Sequence, residues 1–152
     1  LYSKKDANAK DIESALSISQ STEFVSKKPE GIHSEISQGG TNVSGGQRQR
    51  LSIARAIVRK PEIYIFDDSF SALDFKTDAK LREALAASCK ETKSTVLLVA
   101  QRISSILHAD QIIVLDEGKM VGKGTHAELM ESCDVYQQIA SSQLTKEELA
   151  NV

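Results

Sequence analysis

Long hydrophobic runs are missing from this chain. Its longest apolar stretches, such as VLLVA at 96–100, fall far short of the ~20 residues that a membrane-crossing helix needs, so no part of the sequence reads as a bilayer span. An excess of basic charge is missing too. The 152 residues carry a net charge of -2 and a pI near 6.0, which offers no field for a polyanion and argues against nucleic-acid binding. Cysteine is scarce: Cys89 and Cys133 fall in different segments without CxxC or metal-ligand spacing, and read as two inert thiols of a reducing compartment. The chain opens on Leu1, and no charged-then-apolar leader follows; a piece of a longer polypeptide is expected. There is no internal repeat and no low-complexity tract. What remains suffices for one ordinary domain of roughly 100–200 residues with a sizeable core.

Periodicity divides the chain. DIESALSI at 11–18 puts Ile12, Ala15, Leu16 and Ser19 on one helical face, and a second short helix at 22–28 stops near Pro29. Residues 30–46 carry five glycines and no apolar period, so they read as loop. From Gln47 the pattern changes: Leu51, Ala54, Ile57 and Val58 recur at helical spacing opposite Arg48, Arg55 and Arg59, and Pro61 ends the helix because the residue before a proline avoids helical geometry. IYIF at 63–66 has the look of a strand buried in a parallel sheet. A helix at 77–92, a strand TVLLVA at 95–100, a short helix at 103–108 and a strand QIIVLD at 111–116 follow. Glu117-Gly118 then reads as a tight hairpin turn into a strand from Lys119. Helices at 125–131 and 134–142 and an exposed tail at 143–152 complete the pattern. Strands alternating with helices predict an α/β layered domain, preceded by a mostly helical lobe.

Two stretches carry chemistry. In VSGGQRQR at 43–50, a serine and two glycines stand immediately ahead of a helix and present bare backbone N–H groups at the positive end of its dipole, which is an anion site. A plain N-cap by Ser44, with the glycines forming a turn, is the other reading of the same residues. In YIFDDSFSALD at 64–74, an apolar strand runs straight into Asp67 and Asp68. At the C-terminal end of a parallel strand, side chains emerge into the crevice where α/β proteins bind ligands. Asp67 there suits a Mg²⁺ held through water and phosphate oxygens, and Asp68 suits a group that orients or deprotonates an attacking water. Against this stands a pair that only solvates the strand end and caps the next helix.

The order of these features, with their spacing, resembles the ATP-binding cassette family. VSGGQRQRLSIARAIVRKP is similar to its signature loop and helix, IYIFDD to its Walker B strand, and Ser71 to Asp74 to its D-loop. TVLLVAQR at 95–102 is similar to its switch strand and loop, LDEGKMVGKGTHAELM at 115–130 to its later segment, and PEGIHSEISQGG at 29–40 to the loop that precedes the signature in exporters. The resemblance covers essentially the whole chain. It implies the second half of a P-loop NTPase-type ATPase core at 61–142, preceded by a helical subdomain at 1–60 that bears the signature. It also implies ATP and Mg²⁺ as ligands. Ser44, Gly45, Gly46, Gln47 and Asp74 would contact nucleotide, Asp67 would hold the metal, and Asp68 with Gln101 would act in hydrolysis. The partners implied are a second nucleotide-binding domain and a transmembrane domain on the same polypeptide, at the cytoplasmic face of the cell membrane.

Departures from the family pattern are equally informative. No G-x-x-x-x-G-K-[ST] phosphate loop is present, since GKMVGKGT at 118–125 has the wrong spacing; this stretch alone is expected to bind ATP poorly. Most members carry Glu where this chain has Asp68, one methylene shorter. The switch residue is usually His, and the matching position is Gln101, which donates a hydrogen bond but cannot be charged. Gln38 and Gly39 replace the Glu-Arg pair common in exporters. An intact signature beside an altered catalytic half-site is the pattern of the degenerate subunit of a heterodimer. A chromosome-maintenance ATPase of the coiled-coil type also joins a Ser-Gly-Gly signature to a Walker B strand. It would need heptads ahead of residue 43 and basic patches, and this chain has neither. A non-enzymatic fragment without a partner is the third reading.

Overall fold

The structure is a computed structural model and describes residues 6–144. By packing, the chain divides into two compact units, one up to Val99 and one from Ala100.

The first unit is built on helix α1 (Ala9–Ile18), the short α2 (Thr22–Ser26), α3 (Gly45–Ile57), strand β1 (Ile63–Asp67), α4 (Phe75–Thr92) and β2 (Thr95–Val99). Asn8 opens α1 with a capping box: its side chain accepts from the Asp11 N–H while the Asp11 carboxylate answers the Asn8 N–H. The predicted stripe is buried through Ala15 and Leu16. Ser19, at its end, is fully buried and satisfied by bonds to the Leu16 carbonyl and the Ser21 hydroxyl. α3 buries Ile53, Ala54 and Ile57 against them. It ends at Ile57, four positions ahead of Pro61, and Lys60, directly before the proline, takes a left-handed φ of 48° rather than the extended geometry that a following proline favours. α4 begins two residues earlier than its periodicity predicts because Asp74 caps it. Leu81, with no exposed surface, Leu85 and Cys89 face the same core as Tyr64 and Phe66. Burial of side chains this size contributes roughly 1.5–3 kcal/mol each.

β1 and β2 pair in parallel, Ile65 opposite Leu97 and Asp67 opposite Val99. The strand departs from the two-sided burial that its apolar run predicts. IYIF is not buried on both sides: β1 alternates, with Tyr64 and Phe66 inside while Ile63 and Ile65 are 61% and 68% exposed. Leu97 and Val99, on the same face, are exposed as well. A parallel sheet is stable when both faces are covered, and within this unit the helices cover only one.

The second unit holds β3 (Ile112–Asp116), β4 (Lys119–Gly124), α5 (His126–Ser132) and α6 (Asp134–Gln143). The short helix predicted at 103–108 is only a 3-10 turn, Ile103–Ser105. Glu117 and Gly118 join β3 to β4 with φ of 46° and 75°, the doubly positive pattern whose twist matches a two-residue hairpin. Ile103, Ile112, Val114, Leu129, Tyr136 and Leu144 form the core. His126 is buried among them, its Nδ1 2.7 Å from the Tyr136 hydroxyl. From residue 145 the predicted exposed tail lies outside the described residues.

Candidate functional site

Helix α3 begins with a reciprocal cap. The Ser44 hydroxyl accepts from the Gln47 N–H at 3.2 Å, and the Gln47 side-chain oxygen accepts from the Ser44 N–H at 3.0 Å. The capping reading of Ser44 is therefore realised, and Gln47 spends its side-chain oxygen on it. Gly45 and Gly46 come before any intrahelical acceptor is in reach, so their N–H groups remain for an anion at the positive helix end. The preceding loop is held by side chains. Asn42 accepts from the Ser37 N–H and donates to the Glu35 carbonyl. Arg48 donates to the Gly39 carbonyl at 3.0 Å, and its chain lies where a Cβ on Gly40 would clash at 2.9 Å.

The two aspartates differ in backbone geometry. Alternation along β1 puts the Asp67 side chain on the bare sheet face with Ile63 and Ile65. Asp68, one residue on, has left the strand with a φ of 44°, a left-handed conformation that costs a non-glycine residue on the order of 1–3 kcal/mol and persists only where its surroundings enforce it. Among the described residues neither carboxylate has a hydrogen-bond or ion-pair partner. Two exposed, unpartnered acids suit a cation that takes its other ligands from phosphate and water. Among the described residues no group of three or more His, Cys, Asp or Glu is placed to hold a metal ion.

Asp74 does what the bland reading assigned to the aspartate pair. Its Oδ1 accepts from the Thr77 N–H at 2.9 Å as the N-cap of α4, and hydrogen bonds from the Thr77 side chain and backbone hold its carboxyl below the usual carboxylate range.

Sequence reasoning missed Gln49. One turn into α3, its Oε1 accepts from the Ala72 N–H at 2.9 Å while its Nε2 donates to the Asp68 carbonyl at 3.3 Å. An N–H can only donate, which fixes the amide's orientation. The Ser71 hydroxyl also donates to the Asp68 carbonyl, at 3.1 Å. The ends of α3 and β1 also border an open cleft of about 460 Å³, lined by Gly45, Arg48, Gln49, Ser52, Asp67 and Asp68, into which the bare Ile65 also opens.

Gln101 lies in the second unit, its side chain exposed. Its backbone is held by Gln143, which donates to the Gln101 carbonyl and accepts from the Ile103 N–H, both at 2.9 Å. Gln143 was likewise not foreseen, for contacts 40 and 42 residues apart leave no local pattern.

The sequence matches the family model described as ABC transporter over residues 4–71. It is 49% identical over 129 residues to an ABC transporter ATP-binding protein of Mycobacterium tuberculosis, covering 85% of this chain and 22% of that protein. It is 42% identical over 146 residues to one of Bacillus subtilis, covering 96% and 25%, and 42% identical over 131 residues to an ABC multidrug transporter of Trichophyton rubrum, covering 86% and 9%. A bacterial Atm1-family ABC exporter solved with ATP bound superposes with a TM-score of 0.87 at 30% identity, over 95% of this chain and 25% of that one. The chain thus spans a quarter or less of the length of these relatives.

Proposed function

Because the chain belongs to the ABC transporter family, as part of an ATP-binding domain of the exporter kind, we propose that it serves two nucleotide sites at once in an asymmetric heterodimer. Ser44, Gly45, Gly46 and Gln47 close over ATP held by a partner domain. Asp67, Asp68 and Gln101 belong to this chain's own site, and Asp74 lies on the segment between the two. The observation that carries this reading is the pairing, within one unit, of a helix start with two free glycine N–H groups and a strand end with two unpartnered carboxylates. Bound through Asp67, Mg²⁺ would neutralise charge on the phosphates. Asp68 orients the attacking water but reaches less far than a glutamate, and Gln101 donates to phosphate without adding charge. Own-site turnover is therefore slow while binding persists.

The bare face of β1 and β2 supports a further part of the reading. The remainder of the domain packs there, supplies the phosphate loop that this sequence lacks, and continues into membrane helices that the ATP cycle drives from the cytoplasmic side. The relatives named above offer nothing to the chromosome-maintenance alternative.

The test is Asp68→Glu combined with Gln101→His in the full-length heterodimer, with the partner's own catalytic glutamate replaced so that residual ATPase reports on this site. Groups acting as one unit are non-additive, so the double variant is the informative one. Turnover is expected to rise about tenfold, which corresponds to roughly 1.4 kcal/mol of transition-state stabilisation. No rise with nucleotide binding intact would show that the site is silenced elsewhere.

A further inference from the structure

We infer that Gln49 is a positioning residue: it pins the backbone of Asp68 from the helix that carries the partner-facing loop, and so ties the state of one half-site to the geometry of the other. The inference rests on the reading that Asp68 acts in hydrolysis at this chain's own site.

Asp68 sits in a conformation that it would not keep unaided. Its carboxylate direction follows from that backbone, and the carboxylate itself is held by no bond among the described residues. What holds the backbone is its carbonyl, which accepts from Gln49 and from Ser71. The two donors differ in kind. Ser71 lies three residues along the same turn and moves with it, whereas Gln49 reaches across 19 residues of sequence from α3. Its oxygen simultaneously clamps the Ala72 N–H, so the one amide spans both ends of the turn from Asp68 to Ala72.

Gln49 also stands close to the cap. Only Arg48 separates it from Gln47, and the first turn of a capped helix moves as a rigid piece. The helix start also comes close to the turn, for a Cβ on Gly46 would meet the Ala72 carbonyl oxygen at 3.0 Å. A displacement of the Ser44–Gln47 start, drawn toward an anion in front of it, is thus passed to the turn by the Gln49 side chain, across a close approach of the two segments. Without Gln49 the turn keeps only Ser71 on the Asp68 carbonyl, and Asp68 is free to relax to a negative φ, swinging its carboxylate away.

The experiment compares Gln49→Met, which keeps the length but removes the bonds to Asp68, Ser71 and Ala72, with Ser71→Ala and with the double variant, in the full-length heterodimer with the partner's own catalytic glutamate replaced. The expected result is a fall of about tenfold in kcat with KM for Mg-ATP within about twofold, a smaller fall for Ser71→Ala, and a double variant little worse than Gln49→Met because both side chains act on one carbonyl. A clasp that only stabilised the fold would lower the melting temperature and leave that split absent. If Gln49→Met does not assemble, exposed Ser71 still removes one of the two donors, and the same split is read from Ser71→Ala. A kcat within about twofold of the parent for the assembled variants overturns the inference. Asp67→Asn in the same preparation separates the two levels. If it weakens Mg-dependent nucleotide retention while Gln49→Met leaves kcat unchanged, only the positioning role fails; if it too changes nothing, the reading of the site fails with it.

Discussion

Replacing Gly45 and Gly46 one at a time by alanine separates two neighbours that the start of α3 treats differently. Both occupy its first turn, where Gly→Ala gains up to ~1 kcal/mol through helix propensity and a less flexible unfolded chain. A Cβ on Gly45 would meet nothing within 4 Å, so Gly45→Ala keeps that gain. A Cβ on Gly46 would stand 3.0 Å from the Ala72 carbonyl oxygen, and this neighbour is backbone whose own N–H is held at 2.9 Å by Gln49. It has to give by a few tenths of an ångström, which stretches that bond; overpacking of this kind costs typically ~1–3 kcal/mol. Gly46→Ala is therefore expected to be less stable than Gly45→Ala by about 1–3 kcal/mol, read as a lower urea midpoint at unchanged slope for the complete nucleotide-binding domain. Equal midpoints for the two variants would refute the close approach of α3 to residue 72, and with it half of the mechanical link proposed above.

Two further outcomes concern the second unit. Burial, and then the charge of nearby His108, lowers the pKa of His126 below its ordinary 6.5. The unfolded chain then binds a proton that the folded one refuses, so stability is full above about pH 6.5 and falls as pH drops from there toward the folded value. Urea unfolding between about pH 7 and about pH 5 checks the slope, which His126→Phe should flatten; an equal slope in parent and variant would discard His126 as its source. Tyr136, whose pKa burial raises, is the hydrogen-bond partner of His126 Nδ1, its hydroxyl 2.7 Å away. Tyr136→Phe leaves that buried nitrogen without a partner and should cost about 1–3 kcal/mol; a loss below about 0.5 kcal/mol would mean that water replaces the hydroxyl.

Local signals were legible in the sequence and long-range ones were not. The start of α3 at Ser44 follows from its cap, and the β3–β4 turn follows from Glu117-Gly118, because a glycine after a turn residue admits the doubly positive φ found there. The α/β order could be read from periodicity, since helices and strands bury apolar residues at different intervals. Burial of β1 could not. An apolar run records what a residue would favour, not whether anything is there to cover it, and Ile63 and Ile65 are bare. The site shows the same division. Asp67, Asp68 and the glycines stand out as charge or flexibility in unusual places, whereas Gln49 looks like any polar residue of a helix until its bonds across to residues 68–72 are seen in space. Asp74 shows that one side chain can satisfy a local rule whatever role its motif implies.

The uncovered strands also bear on how such a chain survives in a cell. TVLLVA at 95–100 is proline-free, uncharged and rich in β-branched residues, β2 is a sheet edge, and Leu97 and Val99 are more than half exposed. That combination templates edge-to-edge aggregation. Under the proposed packing of the remaining domain on this face, a substitution that loosened it would leave the strand pair to chaperones and proteases and lower the amount of protein before it altered any rate.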